Sequence, residues 1–177
     1  LNTSLAKAIM GIAQKRSVPK LASKTFHNWY KKRDVIANAV KQSQKTVYLF
    51  NDEFTNYYDV EIGKDVIFVL EKLGYSVEVL NHKESGRSFI SKGFLKEAKQ
   101  VCNENIAVFK DVISDATPLI GIEPSAILTF RDEYLRIASD KLSAEKIAKN
   151  AFTIEEFLNN EHQKGNLDTY LFTSATK

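Results

Sequence analysis

The sequence predicts an α/β fold of three layers: a short parallel sheet in the order 2-1-3, flanked by helices and preceded by an N-terminal helical arm. Three observations carry this. Short apolar runs at 45–50, 76–80 and 119–122 read as buried strands. Each is followed by a segment with apolar residues at helical spacing. Each strand ends in a polar loop, so the three loops fall on one edge of the sheet, where open α/β sheets place their ligands.

Residues 1–16 read as a helix with Leu5, Ile9 and Ile12 on one face, interrupted at Ser17-Val18-Pro19. Leu21, Phe26, Trp29 and Tyr30 then lie among lysines, ahead of Lys31-Lys32-Arg33. Residues 1–46 hold ten Lys/Arg and one acid, Asp34, in a chain of formal net charge +3. The basic arm, residues 1–44, is read either as a solvated linker or as a docking element for neighbouring domains or a membrane surface, and such an aromatic segment more often packs on its own protein. The α/β domain, residues 45–177, is acidic and carries no nucleic-acid signature, so nucleic acid is not expected as a partner.

The first strand, 45–50, leads into Asn51-Asp52-Glu53-Phe54-Thr55-Asn56. Asp59 is placed to cap a helix carrying Ile62, Val66, Val69, Leu70 and Leu73, which Gly74 ends. The second strand, 76–80, exits through Asn81 to Arg87. A long helix is predicted over about 91–114, with Leu95, Ala98, Cys102, Ile106, Phe109 and Ile113 as its buried stripe. Cys102 is thus a small core hydrophobe. In the third strand Gly121 permits a close backbone approach. Pro124 suits the first turn of the next helix, which places Glu123, Pro124 and Ser125 at a helix N-terminus. Ser143 and Thr153-Ile154-Glu155-Glu156 start two further helices, and residues 170–173 read as a last strand.

The chain has 177 residues, 44% of them hydrophobic, enough for a real core. No apolar run reaches membrane-spanning length, and no secretory signal pattern is present. A single cysteine excludes an internal disulfide and a multi-thiolate metal site within one chain, and fits a reducing, cytoplasmic setting. The first residue is Leu1, so a processed chain or a piece of a longer protein is expected.

The dinucleotide glycine fingerprint, the P-loop and the nucleophile elbow are missing. Asp52-Glu53 matches the start of a phospho-receiver's acidic cluster, but Glu123 serves the third strand of such a site only loosely. Candidate site residues are Asn51, Asp52, Thr55, Asn56, Glu84, Ser85, Gly86, Arg87, Glu123, Pro124, Ser125 and Arg131. Glu84 and Glu123 at one edge could share a proton or hold a cation, with His82 as a further ligand. Alternatively, Glu123 favours its own helix N-terminus and pairs with Arg87 or Arg131.

An ordered series of motifs spans about residues 17–158. It runs Phe50-Asn51-Asp52-Glu53-Phe54-Thr55-Asn56-Tyr57, Glu61-Ile62-Gly63, Leu70-Glu71-Lys72-Leu73-Gly74-Tyr75, Glu84-Ser85-Gly86-Arg87-Ser88-Phe89-Ile90-Ser91-Lys92-Gly93, Gly121-Ile122-Glu123-Pro124-Ser125-Ala126 and Phe130-Arg131-Asp132-Glu133-Tyr134. Together these resemble the C-terminal iron–sulfur region of FAD-linked oxidases of the glycolate oxidase and D-lactate dehydrogenase type, in the first half of its cysteine-rich (CCG) domain. The resemblance implies a parent that oxidises a 2-hydroxy acid with FAD and an iron–sulfur cluster and passes electrons on. It implies the parent's other domains as partners and a cytoplasmic location, at most peripheral to the inner membrane. Three family cysteines stand here as Glu84, Ser85 and Ala126, while Gly86, Arg87 and Pro124 remain. The family's flavin domain and its second cysteine-rich half have no counterpart in these residues, so a non-catalytic fragment without its own cofactor or metal is expected. The alternative from another class is a standalone α/β module that binds a small anion through Arg87 and helix N-terminal amides.

Overall fold

A computed structural model describes residues 2–17, 19–33 and 45–167. Its centre is a four-stranded parallel sheet in the order β2-β1-β3-β4. The strands are β1 (Lys45–Phe50), β2 (Tyr75–Glu78), β3 (Leu119–Gly121) and β4 (Ala151–Thr153). Tyr48 is the hinge of the register, opposite Glu78 on one side and Leu119 on the other. The expected 2-1-3 order is present. β4 extends it, pairing with β3 from Leu119 opposite Ala151. Three residues between two helices make too short a run to show in the sequence. The strand expected at 170–173 lies outside the described residues.

Alternation along β1 divides the core in two. Val47 and Leu49 face one layer with Phe26, Ile67, Leu70 and Phe157. That layer is built by α2 (Phe26–Lys32), α4 (Val60–Lys72) and α10 (Ile154–Gln163). Phe50 faces the other layer with Cys102, Ile106, Phe109, Ile127 and Ile147. It is built by α6 (Leu95–Phe109), α7 (Pro124–Ile127), α8 (Glu133–Ile137) and α9 (Lys141–Lys149). The three layers are therefore helix, sheet, helix.

Glycine sets the closest approaches. A Cβ on Gly121 would lie 2.3 Å from the Cβ of Ile127, so only glycine lets α7 start directly over β3. A Cβ on Gly63 would lie 2.7 Å from the Phe26 ring, so α4 offers its bare backbone to α2.

Several elements differ from expectation. The helix expected over about 91–114 is shorter at both ends, α6 (Leu95–Phe109), and a separate short helix α5 (Arg87–Ser91) precedes it across Gly93, which takes φ +78°. The stripe holds from Ala98 to Ile113, but Leu95 is exposed. In α4 the buried face is Val60, Gly63, Ile67 and Leu70, and Ile62 points outward. Asp59 precedes α4 without a side-chain cap bond. Of the helix expected over 1–16, Ser4–Ile9 (α1) is helical among the described residues, and its Leu5 and Ile9 are exposed.

The aromatic part of the arm packs on the body. Phe26 is fully buried. Tyr30 Oη donates to the Val77 carbonyl and accepts from the Val79 amide, which ties α2 to the outer strand β2. Arg33 pairs with Glu71 at 2.8 Å and lies over the Tyr30 ring. Lys31 and Lys32 stay exposed.

Candidate functional site

The exits of β1 and β2 are bound together by His82. The Asn51 amide donates to His82 Nε2 at 3.1 Å. Nδ1 therefore carries the proton and donates to the Lys83 carbonyl at 2.6 Å. The ring stacks on Phe50 at 4.3 Å. Burial pushes its pKa down to about 4, so the imidazole is neutral. With its one lone pair taken by a backbone amide, His82 is a strut between loops and not a metal ligand.

Asp52 is fully buried and caps α3 (Glu53–Tyr57). Its oxygens accept from the Phe54 and Thr55 amides and from the Thr55 hydroxyl at 2.6 Å. Burial raises its pKa against these bonds. Beside it the Glu53 side chain reaches across to the next loop, accepting from the Ser85 hydroxyl at 2.7 Å and the Ser85 amide at 3.1 Å. The Ser85 oxygen in turn accepts from the Arg87 amide.

The rest of that loop is held from below by α6 and α8. Asn105 accepts from the Lys83 amide and donates to the Glu84 carbonyl and the Tyr134 oxygen. Tyr134 donates to the Ser85 carbonyl at 3.0 Å, and burial raises its pKa. Gly86 stands at φ +72°, with Val101 3.2 Å from where a Cβ would be. Asn105 and Tyr134 were not among the expected site residues. A fully buried asparagine in the same stripe as Cys102 and Ile106 was the available signal, since a buried polar group needs partners.

The candidate residues separate into groups. Asn51, Asn56 and Glu84 line an open cavity of about 750 Å³ between α2, α3, the β2 exit and α6, together with Glu53, Glu97 and Glu104. Asp52, Thr55 and Ser85 lie buried behind it. Glu123 does not join Glu84 on the cavity wall. It caps α7 and accepts from the Ser125 amide and hydroxyl. The expected arginine partners are also different. Arg87 pairs with Glu133 at 2.6 Å, and Arg131 with Glu156 at 2.7 Å. Neither arginine lines the cavity.

The positions matched to family cysteines do not fit an iron–sulfur cluster. Clusters are held chiefly by thiolates. Glu84 is exposed, the Ser85 hydroxyl is committed to Glu53 and the Arg87 amide, and Ala126 is a methyl in the core. Cys102 lies in the apolar layer, where burial pushes its thiol up to about 12. Among the described residues no three His, Cys, Asp or Glu side chains are grouped to hold a metal ion.

Comparison with known proteins finds sequence similarity to dehydrogenases. The chain is 28% identical over 141 residues to the D-2-hydroxyglutarate dehydrogenase of Haemophilus influenzae, covering 74% of the chain and 14% of that protein. The D-2-hydroxyglutarate dehydrogenase of Escherichia coli is 30% identical over 94 residues, 53% of the chain and 9% of that protein. One subunit of the anaerobic glycerol-3-phosphate dehydrogenase of Escherichia coli is 29% identical over 132 residues, 73% of the chain and 33% of that protein. The chain thus spans a small part of the first relative and a third of the last. No family model matches the chain, and no solved structure matches it significantly. Among the described residues no helix is long and apolar enough to cross a membrane.

Proposed function

We propose that the chain is a non-catalytic subdomain of an FAD-linked, iron–sulfur oxidoreductase acting on a 2-hydroxy acid. The observation that carries this is the similarity to D-2-hydroxyglutarate dehydrogenase across 141 residues. The loop framework of the cysteine-rich domain supports it. The Gly86 left-handed turn, the Arg87 ion pair and Pro124 at a helix start remain where the thiolate positions carry other side chains. In this reading the loops keep their shape because Glu53, Asn105 and Tyr134 hold them. The chain contributes packing surface to the electron-transfer end of the parent. The hydride or electron chemistry belongs to cofactors bound elsewhere.

The test is an assay of the purified chain with added FAD and D-2-hydroxyglutarate, D-lactate or glycolate. No flavin reduction is expected. Turnover by this chain alone overturns the reading. The coding sequence on either side should specify a flavin domain, and a gene encoding this domain by itself would count against it.

A further inference from the structure

Two apolar surfaces of this chain face solvent, and they complement each other. The first is α1. Thr3 caps it by accepting from the Ala6 amide. Lys7 Nζ donates to the Gln14 carbonyl, and Gln14 Nε2 donates to the Ser4 carbonyl, so the segment closes on itself. Its outer side is nevertheless apolar. Leu5 and Ile9, one helical turn apart, are 73% and 78% exposed, and Met10 after them is exposed too. A helix of six residues is marginal in water unless its apolar side is covered. The residues that follow are basic: Lys15 and Arg16 are exposed, and the arm holds no acid before Asp34.

The second surface lies on α3 and the start of α4. Phe54, Tyr57, Tyr58 and Ile62 are half-exposed, and the Phe54 and Tyr58 rings stand 6.5 Å apart. Leu21, also exposed, is brought beside them because the Ala22 amide donates to the Tyr57 carbonyl. Clustered apolar side chains on a surface mark a place of association. The α4 end of this patch is acidic. Asp59 and Asp65 stand three residues before and after Ile62, both exposed and without a basic partner among the described residues. Glu61 between them is held by Lys64.

We propose that the chain pairs with a second copy of itself: α1 of each copy lies on the Phe54–Ile62 patch of the other. Leu5 and Ile9 cover the rings, and Lys15 and Arg16 turn toward the Asp59 and Asp65 end. An amphipathic helix laid on an apolar surface is a common mode of recognition. Each copy gives the same helix and receives it on the same patch, so the contact is two-fold and closes at two copies. The inference does not rest on the oxidoreductase reading.

Sedimentation velocity of the whole chain tests it. At low salt a monomer–dimer equilibrium is expected, with a dissociation constant on the order of 10 μM. Added salt should weaken it. Leu5→Ser/Ile9→Ser spoils the helix, and Tyr58→Ser/Ile62→Ser spoils the patch. All four side chains face solvent, so both double variants should keep the wild-type circular dichroism. Each should dimerise at least about tenfold more weakly. Mixed together, the two variants still offer one intact helix and one intact patch. In amide-resolved NMR of the labelled helix variant, resonances of Tyr57 to Asp65 should therefore shift as the patch variant is added up to about 1 mM. Adding unlabelled helix variant should leave them in place. A wild-type chain that stays monomeric up to about 200 μM overturns the proposal. Binding of that monomer to phosphatidylglycerol vesicles would assign α1 to a membrane surface instead. A dimer that either double variant leaves intact also overturns it, as does a mixture without the shifts.

Discussion

The Ser85 hydroxyl donates to Glu53 at 2.7 Å, and the Ser85 amide donates to the other oxygen of the same side chain at 3.1 Å. One carboxylate thus receives both donors of a fully buried serine and closes the β2 exit loop onto α3. Hydrogen bonds to charged groups contribute about 1.5–3 kcal/mol. Ser85→Ala removes one of the two and should lower unfolding stability by about that amount in urea titration. A midpoint unchanged from wild type would show that the loop is held by Asn105 and Tyr134 alone.

Phe26 and Gly63 form the joint that fixes α2 to the body. Removing a buried phenylalanine ring typically costs about 3–5 kcal/mol. Phe26→Ala should therefore destabilise the chain strongly and loosen α2 first. Trp29 is the only tryptophan, half-buried and 5.5 Å from the Phe26 ring. Its emission should shift to longer wavelength in the variant under conditions where circular dichroism is still native. An unchanged spectrum would mean that Tyr30 and Arg33 suffice to hold the helix.

Cys102 is fully buried in the α6 stripe, with its thiol pushed up to about 12 by burial. The thiolate is the reactive form. Labelling by a thiol reagent at pH 8 should be slow in the native protein and rapid in denaturant. Stoichiometric labelling within the mixing time of the native protein would contradict the packing of α6.

Glu161 ties α10 to β2 through Tyr75, which donates at 2.6 Å. Burial works to raise the Glu161 pKa. Bonds from Tyr75, Lys164 and Asn166 together outweigh it and bring the value down to about 2. A carboxyl group depressed on folding adds stability above its unfolded pKa, about 4.3. That stability is lost as pH falls from there toward 2. Asp52 works in the opposite sense, since its raised pKa makes protonation on acidification favour the fold. The melting temperature of Glu161→Gln should therefore be lower than wild type at pH 7, with the gap closing below about pH 4. A gap constant with pH would assign the loss to geometry and not to charge.

Local pattern determined much of this protein. The β1 boundaries, the Thr153 capping box, the Gly74 stop and the Cys102 stripe from Ala98 to Ile113 rest on short-range spacing and appear as expected, and the three-strand order follows from the strand–helix alternation. Gly121 also met expectation, because a glycine between two apolar residues before a helix start admits few other uses. Partners far apart in the chain were decided only by the tertiary structure. Arg87 took Glu133, and Arg131 took Glu156, each instead of Glu123. His82 became a neutral strut because the Asn51 amide, 31 residues earlier, arrives at its lone pair. That the aromatic arm segment packs on its own body was an expectation, but the place was set by Gly63, which leaves room for Phe26. β4 formed because β3 presented a free edge to a three-residue segment with little strand signal of its own. Spacing along a chain reveals faces and turns. Which charge meets which, and which polar atom is left unmet, depends on distances that only the packed layers set.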